Sequence, residues 1–105
     1  MPTATTKSID KRINRGVARL DARIPNWWKK INLHRFDFQT CNNCILGQLG
    51  EDDLFAGKKM LNIRGKLSQY GFDWTSEDGL AGVAYFQTRW RQIIIAKGKA
   101  ANANS

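Results

Sequence analysis

The sequence predicts a small, mainly α-helical single domain with an irregular central region. Three observations carry that expectation. Stretches near both ends repeat apolar residues at gaps of three and four, the period that lines one face of a helix. No stretch sustains the alternation of a half-buried strand: Phe36 and Phe38 alternate with Arg35 and Asp37, a run too short to define one. The length of 105 residues suits one domain with a modest core. The expected limits are a disordered tail over residues 1–7, the helical domain over residues 8–97, and a flexible tail over residues 98–105.

The first helix is expected from Ser8, a natural N-cap, to Ile24. Ile9, Ile13, Val17, Leu20 and Ile24 form its apolar face. Pro25 ends it, because the residue before proline avoids helical angles. Proline also suits a first helical position, so Pro25-Asn26-Trp27-Trp28-Lys29-Lys30-Ile31 is a candidate short second helix, with Trp27 and Ile31 facing the core. The apolar run Cys44-Ile45-Leu46-Gly47-Gln48-Leu49 fits a buried helical turn, and Gly50-Glu51-Asp52-Asp53 an acidic turn. Met60, Ile63, Leu67 and Tyr70 follow helical spacing, with Gly71 as the C-terminal cap. Gly65 inside that stretch costs about 1 kcal/mol relative to Ala. The last helix opens on Thr75-Ser76-Glu77-Asp78, a Thr-x-x-Asp cap, buries Val83, Phe86, Trp90, Ile93 and Ile94, and is stopped by Gly98.

Charge is the unusual property. Net charge is +8, and residues 1–35 carry most of it, with nine basic residues against Asp10 and Asp21. On the first helix Arg12, Arg15, Arg19 and Arg23 recur at gaps of three, four and four, which stacks them on one face. The planar fork of arginine suits carboxylates and phosphates, so this ladder predicts an acidic partner. The bland alternative is a solvated face paired locally with Asp10 and Asp21. Trp28, Lys29 and Lys30 join the ladder as candidate contacts, because tryptophan beside cations is common at binding hot spots and on single-strand platforms. Trp28 can equally cap the edge of the core.

Other chemistry has little support. Cys41-x-x-Cys44 and His34 make a metal set one ligand short of the four that structural zinc takes, so no metal and no cofactor is expected. The strands of a thioredoxin-like redox motif are missing. No spacing singles out a Cys–His pair, and there is no glycine-rich phosphate loop and no paired-carboxylate pattern, so the chain reads as not an enzyme. No helix-turn-helix or RNA-binding aromatic motif supports base-specific reading. No apolar run has the length of a membrane span, and residues 1–8 lack the apolar core of a signal peptide. With two cysteines too close to staple a fold, a reduced cytosolic setting is expected.

Gly16-Val17, Leu20-Asp21, Pro25-x-Trp27, Ile31, Leu33, Cys44-Ile45-Leu46-Gly47-Gln48-Leu49, Gly71-Phe72 and Trp90-Arg91 together resemble a family of small proteins encoded by actinobacterial phages, including mycobacteriophages, and by related prophages. The resemblance spans residues 16–95. Its most specific piece is the Cys-(Val or Ile)-Leu-Gly-Gln run after a Leu-Asp…Pro-x-Trp segment. Two departures stand out: the family has Gly where this chain has Asn26, and no second tryptophan at Trp28. The resemblance implies a phage accessory protein in the host bacterial cytoplasm, with no catalytic or ligand residue to transfer. It favours a host protein with an acidic surface as the partner; the alternative is sequence-independent nucleic-acid binding through the same face. The shared residues read as a fold signature, with Gly47 and Gly71 in turns. Gln48, polar in an apolar run, is expected to tie its amide to loop backbone.

Overall fold

The apolar face of the first helix fixes the architecture. The computed structural model describes residues 4–103 and is mainly α-helical, with no β-strand among the described residues. Helix α1 (Ala4–Arg23) buries Ile9, Ile13, Leu20 and, just past its end, Ile24. It begins before Ser8, so Ala4, Thr5, Thr6 and Lys7, expected within a disordered tail, are helical; residues 1–3 lie outside the described residues. Pro25 ends the helix, but no helix starts on it. Asn26 turns left-handed (φ 63°) and a 3-10 turn follows at Trp27–Lys30. Trp27 is fully buried, as its spacing with Ile31 predicts.

The central region is irregular but densely bonded. Phe36 and Phe38 both reach the core without forming a strand. Their backbone groups bond to side chains of the last helix instead. Gln87 accepts from the Phe38 amide (2.7 Å) and donates to the Phe36 carbonyl (3.0 Å), and Arg91 donates to the Leu33 carbonyl (2.9 Å). Helix α2 (Ile45–Leu49) is the expected buried turn. Gly47 lies inside it rather than in a turn, and glycine is needed there because a Cβ would strike the Cys41 carbonyl. Helix α3 (Leu54–Met60) is capped by Asp53, which accepts from the Phe55 and Ala56 amides.

The helix expected over residues 60–70 does not form. Leu61 and Ile63 are both buried while Asn62 between them is exposed and left-handed (φ 54°). That is an extended rhythm, not a helical one. A 3-10 turn at Leu67–Tyr70 follows, and Gly71 caps it in the left-handed conformation (φ 74°). The close approach of this turn to α1 needs two glycines. A Cβ on Gly16 would collide with the Tyr70 carbonyl, and one on Gly71 would meet the Ile13 backbone.

Helix α4 (Gly79–Ala103) closes the core with Val83, Phe86, Trp90 and Ile94. Gly98 does not stop it; the helix runs on through 99–103, where a flexible tail was expected, and residues 104–105 lie outside the described residues. Only Gly71 and Gly79 among the glycines have positive φ, so Gly98 sits in helical geometry. An aromatic cluster joins the elements. Trp90 meets Trp27 edge-on (6.1 Å) and stacks on Phe72 (5.5 Å), and Phe38 stacks on Phe86 (4.4 Å). The Trp90 indole donates to the Gly71 carbonyl (2.8 Å), satisfying both buried groups.

Candidate functional site

The arginine ladder divides into a structural residue, Arg12, a half-buried one, Arg19, and two exposed cations, Arg15 and Arg23. Arg12 is the structural one, a correction to its expected place in the contact face. Its side chain is 13% exposed, and it holds Asp78, 5% exposed, through a two-pronged pair: Nη2 to Oδ1 at 2.6 Å and Nη1 to Oδ2 at 3.2 Å. The guanidinium lies 5.2 Å from the centre of the Phe86 ring, so cation–π attraction adds to the pair. Asp78 also accepts from the amide and hydroxyl of Thr75; the bonds expected of a Thr-x-x-Asp cap form, but in a turn ahead of the helix, because α4 starts only at Gly79, which is left-handed (φ 66°). Burial pushes the Asp78 carboxyl up, but the hydrogen bonds and charge of Arg12 and the Thr75 donors outweigh it and hold the group below its ordinary 3.8.

Arg19 is half-buried over Tyr70, with its Cζ 5.6 Å from the ring centre and a long 3.4 Å hydrogen bond to the hydroxyl. Arg23 is exposed and reaches the Met60 carbonyl at 3.5 Å. Lys7, Lys11 and Arg15 are exposed. Among the described residues no carboxylate lies within ion-pair distance of Lys7, Lys11, Arg15, Arg19 or Arg23.

The acids of α1 lie on a different side. Asp10 accepts from the Tyr85 hydroxyl (2.8 Å) and faces Arg89 at 3.7 Å. Asp21 accepts from the Trp27 indole (2.8 Å) and pairs with Lys97 (2.7 Å). Both therefore bond toward α4 and the Trp27 turn rather than neutralising the ladder. Burial and the Asp10 carboxylate raise the Tyr85 phenol above its ordinary 10.0. Two shallow concavities run along the cationic side. One is lined by Lys7, Ser8, Lys11, Arg12 and Arg15, the next by Arg15, Ala18, Arg19, Ala22, Arg23 and Tyr70. Arg15 belongs to both.

Trp28 is half-buried, edge-on to Trp27 at 6.3 Å, with the Lys97 ammonium 5.9 Å from its ring centre. It caps the rim of the core. Lys29 and Lys30 are exposed on the 3-10 turn, an element separate from the α1 strip.

The metal candidates do not come together. Among the described residues no group of three or more His, Cys, Asp or Glu side chains converges. His34 and Cys41 are exposed. Cys44 is buried, donates to the Cys41 carbonyl and accepts from the Gly47 amide at 3.4 Å. Burial raises its thiol above 9.0, which disfavours the thiolate a metal needs. Gln48 behaves as its setting predicts: it accepts from the Asn32 amide (2.6 Å) and donates to the Asn32 and Asn43 carbonyls.

Sequence reasoning missed two features. The Arg12–Asp78 pair joins residues 66 positions apart, and no local pattern announces it. Two further depressions, which share Phe38 and Gln39, lie beside Trp74 and Leu80; both residues stay exposed, with Asp73 and Asp37 in the linings, and the cue was the run Asp73-Trp74 followed by Glu77 and Leu80. No helix among the described residues is long and apolar enough to cross a membrane. Comparison of the chain with protein-family models, with curated proteins and with solved structures yields no match.

Proposed function

We propose that this chain is a non-enzymatic binding protein that engages an acidic protein surface through the outer side of α1. Lys7, Lys11, Arg15, Arg19 and Arg23 make the contact; Lys29, Lys30 and Trp28, on the separate 3-10 turn, are secondary candidates. The observation that carries the reading is the division of charge on one helix. Asp10 and Asp21 are committed to α4 and the Trp27 turn, and Arg12 to Asp78, which leaves the remaining cations without carboxylate partners among the described residues. Cations held apart from the protein's own acids raise the local potential and speed encounter with an acidic partner.

The resemblance to actinobacteriophage proteins supplies the setting: a phage accessory protein acting on a host protein in the bacterial cytoplasm. Asn26, one of the two departures from the family pattern, is a conservative one in its backbone. The family has Gly at this place, and Asn26 adopts the left-handed conformation that Gly and Asn tolerate best. Sequence-independent nucleic-acid binding is the second reading, favoured by the linear run of cations along a single helix. Capture from nuclease-treated host lysate, run beside a gel shift on duplex DNA and RNA across a salt series, separates the two. Protein capture that survives nuclease supports the first reading. Loss on nuclease treatment, with a gel shift that weakens steeply with salt, supports the second.

A further inference from the structure

The concavity beside Trp74 shares no lining residue with the cationic strip on α1. Phe38, Cys44 and Phe72 line it as buried residues and Leu54 and Leu67 as half-buried ones, while Trp74 remains 39% exposed. Its volume is about 110 Å³. An apolar cavity of about 150 Å³ holds benzene, so this space suits a single aliphatic side chain. A second depression shares Phe38 and Gln39 with the first and continues to Val83 and to Leu80, which is 80% exposed.

Charge decides what fits there. Asp73 lines the first depression and Asp37 the second, and Glu77 is exposed in the turn between Trp74 and Leu80. Among the described residues none of these carboxylates has an ion-pair partner. No lysine or arginine lines either depression, although the chain carries 17 of them. Local hydrogen bonds fix two of the acids: Asp37 accepts from the Gln39 amide and the Thr40 hydroxyl, and Asp73 from the Trp74 amide. An apolar cavity with a rim of unpaired acids complements an apolar anchor flanked by cations.

We propose that this paired depression is a docking site for a basic peptide segment. An aliphatic side chain of the peptide enters the cavity at Trp74, and lysines or arginines on either side of it meet Asp37, Asp73 and Glu77. The α1 strip of a second copy fits poorly as the occupant, because between its cations its outer groove offers only Ala18, Ala22 and Tyr70 as apolar groups. A second copy entering through exposed Phe55 or Met60, beside Lys58 and Lys59, is the competing occupant that the dimer test decides. The proposal goes beyond the α1 reading: the chain then presents two surfaces of opposite preference, and each can fail without the other.

The test is fluorescence anisotropy of labelled five-residue peptides against the full chain. The probes are a leucine flanked by two Lys or Arg on each side, the same peptide with glycine for leucine, and a leucine flanked by Asp and Glu. The basic leucine peptide is expected to bind saturably, and the glycine peptide at least about tenfold more weakly. The acidic peptide is tested on the chain with Lys7, Lys11, Arg15 and Arg23 reversed to Glu, which removes the α1 strip that would attract it, and there it is expected not to bind. Combining Asp37→Asn, Asp73→Asn and Glu77→Gln keeps the side-chain acceptors while removing charge, and should weaken binding about fivefold. Reversing Lys11 and Arg15 to Glu should leave binding of this peptide intact. No saturable binding up to about 1 mM, equal binding of the glycine peptide, or equal binding of the acidic peptide to the chain with the α1 strip reversed overturns the proposal. So does a dimer of the free chain that Leu80→Lys dissociates, since that assigns the face to a second copy.

Discussion

Replacing Arg12 with methionine removes the guanidinium but keeps an unbranched stem beside Phe86. Two charge-assisted hydrogen bonds to Asp78, at 2.6 and 3.2 Å, are lost, and a carboxylate that is 5% exposed is left with only the Thr75 donors. Hydrogen bonds to charged groups contribute about 1.5–3 kcal/mol each, and breaking a buried pair from one side costs about 3–5 kcal/mol. Because Thr75 still donates two bonds, the expected loss is at the lower end, about 3 kcal/mol. The sign of the pH dependence follows from Asp78. In the parent protein its pKa is held below 3.8, so its contribution is present above that value and is lost as pH falls through the depressed folded pKa. In the variant the hydrogen bonds and charge of Arg12 no longer oppose burial, so the carboxyl titrates higher than in the parent, and the protonated form costs little to bury. The gap between the two proteins should therefore be widest near neutral pH and shrink below pH 3.8. Urea unfolding of both proteins from neutral pH into the acid range measures it. A loss under about 1 kcal/mol, or a gap that does not change with pH, would refute the assignment of Arg12 to the fold.

Other substitutions test neighbouring contacts. Gly16→Ala drives a methyl group into the Tyr70 carbonyl and should cost about 2–3 kcal/mol in chemical denaturation. Trp90→Phe removes the bond to the Gly71 carbonyl and leaves that acceptor buried, a loss of about 2 kcal/mol plus the missing ring contacts, read as a lower urea midpoint. Gln48→Glu turns a donor into a carboxylate facing the Asn32 and Asn43 carbonyls; it should destabilise by about 2 kcal/mol at neutral pH and recover as acid protonates the new group, which those carbonyls favour in its neutral form. Tyr85, raised above 10.0 in the fold, contributes stability that is full below that value and lost as pH rises through the folded pKa. Tyr85→Phe should flatten the alkaline fall in stability.

The fold was legible wherever apolar spacing was regular and local. The face of α1 from Ile9 to Leu20, the burial of Trp27, the turn at 45–49 and the inward residues of α4 all follow from period and neighbours. The errors came where backbone conformation overrode period. Met60, Ile63, Leu67 and Tyr70 fit a helix on spacing alone, but Leu61 and Ile63 are the buried pair and Asn62 turns left-handed between them. Gly98 carried a stop signal, yet the helix passes through it at a propensity cost of about 1 kcal/mol. The ladder was legible as a cationic face but not as a divided one, because Arg12 finds its partner in a distant turn. Spacing alone does not reveal which member of a charged row a long-range contact will recruit.

The central claim is that the exposed cations of α1 bind the partner while Arg12 supports the fold. The direct measurement is capture of host protein from nuclease-treated lysate by the parent protein and by the combined variant Lys7→Glu, Lys11→Glu, Arg15→Glu and Arg23→Glu, with urea unfolding measured on both. None of these four residues has a carboxylate partner among the described residues, so the account predicts that capture is lost while the unfolding midpoint shifts little. Undiminished capture by a folded variant would contradict it.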